Sequence, residues 1–218
     1  MIIFHWVEAW AALIPLYVFI YRRPGEQFLE IIALFLLTTF CINTIEVISW
    51  RFHDCMPMYL KNNNFLYNIN SFVRIIFFSL FFQKATKLFS KKSLIIFLSI
   101  YILIFVWYLY INSRFLLLNS MLHTCESFIL LSLSIIYLFK LIKSEKSIYT
   151  FDSYLLIISG LAIYESVSFF IYLFYQYLPD KNDEFAHNIW YVIDIGFIIF
   201  CLFTARAFFG NNKIKHED

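Results

Sequence analysis

Apolar runs broken by short polar connectors divide the chain into seven parts. The runs cover 2–21, 28–50, 65–83, 94–111, 115–139, 154–178 and 187–209. Each approaches the roughly 20 residues that a helix needs to cross the apolar core of a bilayer. The connectors are "RRPGE", "RFHDCMPMYLKNNN", "KATKLFSKK", "NSR", "KSEKSIYTFDS" and "PDKNDEFAHN". Most concentrate the charges, Pro, Gly and Asn that end a membrane helix. The fourth is thin, because Asn112–Arg114 alone separates two apolar runs, and a six-span reading stays open there. The pattern predicts an all-α, polytopic membrane protein with seven transmembrane helices.

Composition strengthens that expectation. Of 218 residues, 61% are hydrophobic and only 15% charged, with 28 Phe and 15 Tyr, more apolar surface than a soluble domain of this size can bury. The formal net charge of +2 gives no footprint for nucleic acid. Cys41, Cys55, Cys125 and Cys201 are scattered without a CxxC pair, so neither a disulfide framework nor a zinc knuckle is indicated. The chain is apolar from its second residue, with no basic leader and no small-residue cleavage site, and the first run reads as a span rather than a signal peptide.

Charge sets the expected orientation. Connectors 1–2, 3–4 and 5–6 and the C-terminal end hold Arg22, Arg23, Lys84, Lys87, Lys91, Lys92, Lys140, Lys143, Lys146, Arg206, Lys213 and Lys215. The other side holds Arg51, Lys61, Arg114 and Lys181. The positive-inside rule places the N-terminus outside and the C-terminus in the cytoplasm, which requires an odd number of spans.

The rare polar residues recur. His5 and Glu8 meet His123 and Glu126 at an offset of 118 residues, and Glu46 meets Glu165 at 119. Asn68 meets Asn188 and Arg74 meets Asp194 at 120. The segments 65–89 and 185–209 align without a gap and share seven identities in 25, where about two or three are expected by chance in so biased a composition. Spans 1–3 therefore repeat as spans 5–7 in the same orientation. This gives a 3+1+3 arrangement: a first three-helix bundle (1–92), a linker helix (93–112) and a second three-helix bundle (113–218).

That layout resembles the SWEET and PQ-loop transporters, the vitamin transporters of the PnuC type and the KDEL receptor, over nearly the whole chain. The resemblance implies a solute site between the bundles, with Asn68 and Asn188 in the positions of the asparagines that SWEET-like proteins set beside the sugar. The Pro-Gln motif and the paired prolines of spans 1, 2, 5 and 6 are missing; Pro15 alone lies within a span. The chain also resembles small seven-span proteins of unassigned function from Phe- and Ile-rich bacterial genomes, which implies a bacterial inner membrane.

Two constellations of buried polar residues are candidates for a site, because each ionisable group at mid-bilayer costs about 2.5–3.5 kcal/mol on insertion scales. The first comprises His5, Glu8, Glu46, His123, Glu126 and Glu165. Each HxxE turn puts two side chains on one helix face. Together they could make interhelical hydrogen bonds, bind a solute or proton, or ligate a metal ion as carboxylate bundles do, although those use Glu-x-x-His and this chain has the reverse. The second is Asn68 and Arg74 facing Asn188 and Asp194, expected as a salt bridge across the pseudo-axis or as an anion anchor.

A transporter of a small polar or ionisable solute, with an outward-facing site between the bundles, is the leading expectation. A membrane sensor with a cytoplasmic signalling partner is second, and a membrane-embedded metal-dependent enzyme third. A retinal cofactor is disfavoured, since the seventh span lacks a lysine between residues 187 and 209. The lipid bilayer is the expected environment, a homo-oligomer is compatible, and the substrate is unspecified.

Overall fold

The computed structural model describes residues 7–52, 64–86, 90–112, 120–143, 153–175, 177 and 184–210. Among these the protein is helical and has no strand. The seven described helices are α1 (Val7–Arg22), α2 (Gln27–Arg51), α3 (Asn64–Phe81), α4 (Lys91–Asn112), α5 (Ser120–Lys143), α6 (Ser153–Tyr175) and α7 (Glu184–Gly210). A π-helical turn, Phe82–Thr86, extends α3. The break expected near Asn112–Arg114 does separate two helices, α4 and α5. Among the described residues, five stretches are long and apolar enough to cross a membrane: Gln27–Ser49, Phe65–Ala85, Ser120–Lys143, Ser153–Tyr175 and Asn188–Gly210.

Ring contacts fix how the helices run. At one end of the bundle Phe19 near the end of α1 meets Phe208 near the end of α7, and Phe28 near the start of α2 meets both Phe81 and Tyr154. Ser153 Oγ at the start of α6 donates to the Ala207 carbonyl, 3.0 Å away. At the opposite end Tyr172 and Tyr175 of α6 pack on Trp190 of α7. The helices therefore alternate in direction. At the first of these ends lie, among the described residues, Arg22, Arg23, Lys84, Lys91, Lys92, Lys140, Lys143 and Arg206.

Six helices close a ring in the order α1, α2, α3, α5, α6, α7, with α7 returning to α1, while α4 packs on α3. The pattern of burial is inverted relative to a soluble bundle. Ile95, Ile100, Leu103, Trp107, Phe139, Phe174 and Leu202 point outward, whereas Asn43, Glu46, Asn68, Arg74, His123, Glu126 and Glu165 are buried. Lipid makes sense of that inversion, since it solvates apolar side chains and leaves polar ones to find partners inside.

The interior at the basic end is filled by aromatic rings. Phe35, Phe78 and Phe200 from α2, α3 and α7 meet with centroids 4.8–6.4 Å apart. Against them α6 and α7 approach closely at two glycines. A Cβ on Gly160 would come within 2.9 Å of Phe203 Cβ, and one on Gly196 within 3.5 Å of Tyr164 Cα. Small residues at a helix crossing bring backbones together where no hydrophobic force between helices operates. That approach carries Tyr164 and Glu165 toward α3 and α5.

Candidate functional site

Half-way along α3, about 15 Å from its start at 1.5 Å per residue, Arg74 enters the ring interior. Its side chain is 4% exposed, and the two glutamates near it are fully buried. Arg74 Nε and Nη2 grip the two oxygens of Glu126 on α5, the Nη2–Oε2 distance being 3.0 Å. Ser71, one turn earlier on α3, donates its hydroxyl to the same Glu126 Oε2 at 2.5 Å. The remaining guanidinium nitrogen, Nη1, donates to the Tyr164 hydroxyl of α6 at 2.6 Å. This planar fork is what distinguishes arginine from lysine in a low-dielectric setting: five donors, fixed in geometry, satisfy several acceptors at once.

Glu165 stands apart from that network. Its Oε1 lies 3.7 Å from Arg74 Nη1, close enough for an ion pair and too far for a hydrogen bond. Both of its carboxylate oxygens are buried without a hydrogen-bond partner in the structure, as are Ser127 Oγ and Ser168 Oγ. His123 stacks flat on Tyr172, with centroids 4.7 Å apart and planes inclined by 19°, and its Nδ1 is 3.8 Å from Glu126 Oε2. Tyr172 in turn packs on Trp190, and Trp190 on Tyr67. The charged centre is thus layered between this aromatic cover and the Tyr164, Phe197 and Phe200 packing beneath it.

The two constellations expected from the sequence merge into one. His123, Glu126 and Glu165 from the first gather around Arg74 from the second. Arg74 takes its carboxylate partners from α5 and α6, and the expected salt bridge to Asp194 is not made. The offset of 120 places both residues at similar depth, but the helix ring turns Asp194 away to a half-buried position on α7. Asn68 is buried on α3, whereas its counterpart Asn188 is exposed on α7. Glu46 is buried on α2. His5 lies outside the described residues, and Glu8 falls on α1 with its side chain outside them. Among the described residues no three His, Cys, Asp or Glu side chains could hold a metal ion together.

Tyr164, Ser71, Ser127, Ser168 and Tyr172 join the site although none stood out in the sequence. A periodic signal was present for two of them: Ser71 precedes Arg74, and Ser168 follows Glu165, by one helical turn. Tyrosine is too frequent in this chain for position to single out Tyr164 or Tyr172.

No family model, curated protein or solved structure matches the chain. The site has to be read from its own chemistry.

Proposed function

We propose that this is an integral membrane protein of the transporter type, binding a small polar or ionisable solute between two three-helix units. The observation that carries this reading is the buried Arg74–Glu126–Glu165 cluster, which ties α3 to α5 and α6 at mid-depth. Repeat-built transporters place their sites at such a meeting of halves, near the bilayer midplane.

The order of helices around the ring supports the repeat. Exchanging α1, α2, α3 with α5, α6, α7 turns the α1–α2 contact into α5–α6, α2–α3 into α6–α7, and α3–α5 into α7–α1, and all six contacts are present. Linker helix α4, outside this ring, breaks no symmetry. With lysines and arginines gathered at the end where α1 finishes, the positive-inside rule puts that end in the cytoplasm and the N-terminus outside. The aromatic packing lies on the cytoplasmic side of the charged centre, so an outward opening past Tyr172 and Trp190 is the shorter route to water.

The test is solute-induced charge movement or uptake in proteoliposomes, screened over amino acids, monosaccharides and carboxylates. Wild-type protein should respond to at least one class, and Arg74→Gln should abolish that response. A correctly folded protein that moves none of them would overturn the transport reading in favour of a sensor.

A further inference from the structure

We infer that Glu165, together with Ser127 and Ser168, forms a site for one exchangeable monovalent cation, sodium or a proton, beside the fixed Arg74–Glu126 pair. The inference takes its purpose, coupling, from the transport reading above; its test does not depend on transport.

Charge is the first argument. Two carboxylates, Glu126 and Glu165, flank one guanidinium, and all three are buried. The arginine is committed: Nε and Nη2 hold Glu126, and Nη1 holds the Tyr164 hydroxyl. One negative charge is left over at Glu165. In a low-dielectric interior such a charge is retained only with a counter-charge. A single positive charge balances it, and a divalent ion would overshoot while wanting more carboxylates than are gathered here.

Ligand chemistry is the second. Glu165 supplies two buried oxygens with no hydrogen bond, and Ser127 Oγ and Ser168 Oγ are buried in the same condition. Ser127 of α5 is within interaction range of the Glu165 carboxylate without a well-aligned hydrogen bond to it, and Ser168 follows Glu165 by one turn of α6. Several other buried hydroxyls, though not that of Ser79, find an acceptor, as Ser134 does in the Leu130 carbonyl and Thr204 in the Phe200 carbonyl. Those of Ser127 and Ser168 do not. Four hard oxygens with one net negative charge, and no sulfur, suit an alkali cation or a proton rather than a transition metal.

The groups that could compete for the same charge surround it on every side. Arg74 and Glu126 are its ionic neighbours from α3 and α5. His123 adds a titratable ring on α5, and Tyr164 a phenol on α6 itself. Tyr101 of α4 and Glu46 of α2 are buried in the same interior, and α7 carries Asp194 two residues before Gly196, which packs on Tyr164. Protonation of His123 is the main rival, because it would balance the excess charge without any ion at Glu165.

The experiment uses the full chain purified in detergent, with sodium chloride exchanged for choline chloride at constant ionic strength, at mildly acidic and mildly alkaline pH. The melting temperature should rise with sodium, and more steeply at alkaline pH, where protons compete less. Glu165→Gln should be insensitive to sodium, and His123→Gln should keep the wild-type response. Should Glu165→Gln fail to fold, Ser168→Ala replaces it, with sodium affinity expected to fall about tenfold. If the cation is a proton, sodium will have no effect, and infrared difference spectra of the wild type will show a carboxylic-acid band that disappears at alkaline pH. Absence of both the sodium response and the titrating band overturns the inference, as does a response lost in His123→Gln and kept in Glu165→Gln. A sodium or proton response without solute movement would count against transport alone, and solute movement without either response against the cation site alone.

Discussion

Helices α3 and α7 have similar sequences and different work. Their aligned segments, 65–89 and 185–209, share seven residues in 25. Yet α3 brings a buried asparagine and a fully engaged arginine into the interior, while at matched positions α7 has an exposed asparagine and a half-buried aspartate. What α7 supplies instead is closeness: Gly196 admits Tyr164, and Phe200 and Phe203 press on Gly160. Helix α3 holds the charge, and α7 positions the helix that meets it. Matched sequence positions fix depth along a helix more readily than the face presented. Depth follows from residue count, whereas the face depends on how neighbouring helices rotate.

That contrast can be broken most forcefully at its charged position. Arg74→Ala leaves Glu126 and Glu165 buried without their cation and should cost about 3–5 kcal/mol, or prevent folding altogether. Asp194→Ala should cost far less, and Arg74→Met combined with Glu126→Leu should recover much of the single loss. Denaturation in mixed micelles measures all three. Equal losses at 74 and 194 would mean that the two helices share the charged role after all.

On the packing side, Gly160→Val should lower stability by about 1–3 kcal/mol through overpacking, because its Cβ would meet Phe203 Cβ and the Phe200 backbone. Gly25→Ala, in the turn between α1 and α2 where nothing lies within 4 Å, is the control and should be close to neutral. Thermal melts in one detergent compare the two directly. A neutral Gly160→Val would show that α6 and α7 stand further apart than described.

The smallest difference is expected at the asparagines. Asn68→Ala removes a fully buried amide from α3 and should cost about 1 kcal/mol. Asn188→Ala, at an exposed position, should fall within about 0.5 kcal/mol of wild type. A larger loss at 188 than at 68 would reverse the assignment of inner and outer faces.

The sequence by itself determined the seven helices and most of their ends, because apolar length and polar interruptions are local properties that the bilayer's thickness makes decisive. It also picked out His123, Glu126, Glu165 and Arg74, since an ionisable residue in an apolar run is conspicuous wherever the chain later takes it. Their partnership was settled only in three dimensions. Reading the repeat as a pairing rule joined Arg74 to Asp194, but a guanidinium binds whichever carboxylate the helix rotations bring into its plane, and for Arg74 that is Glu126 of α5. Tyr164 and Ser71 became part of the site for the same reason: hydrogen bonds form across helices, between positions that no spacing along the chain connects.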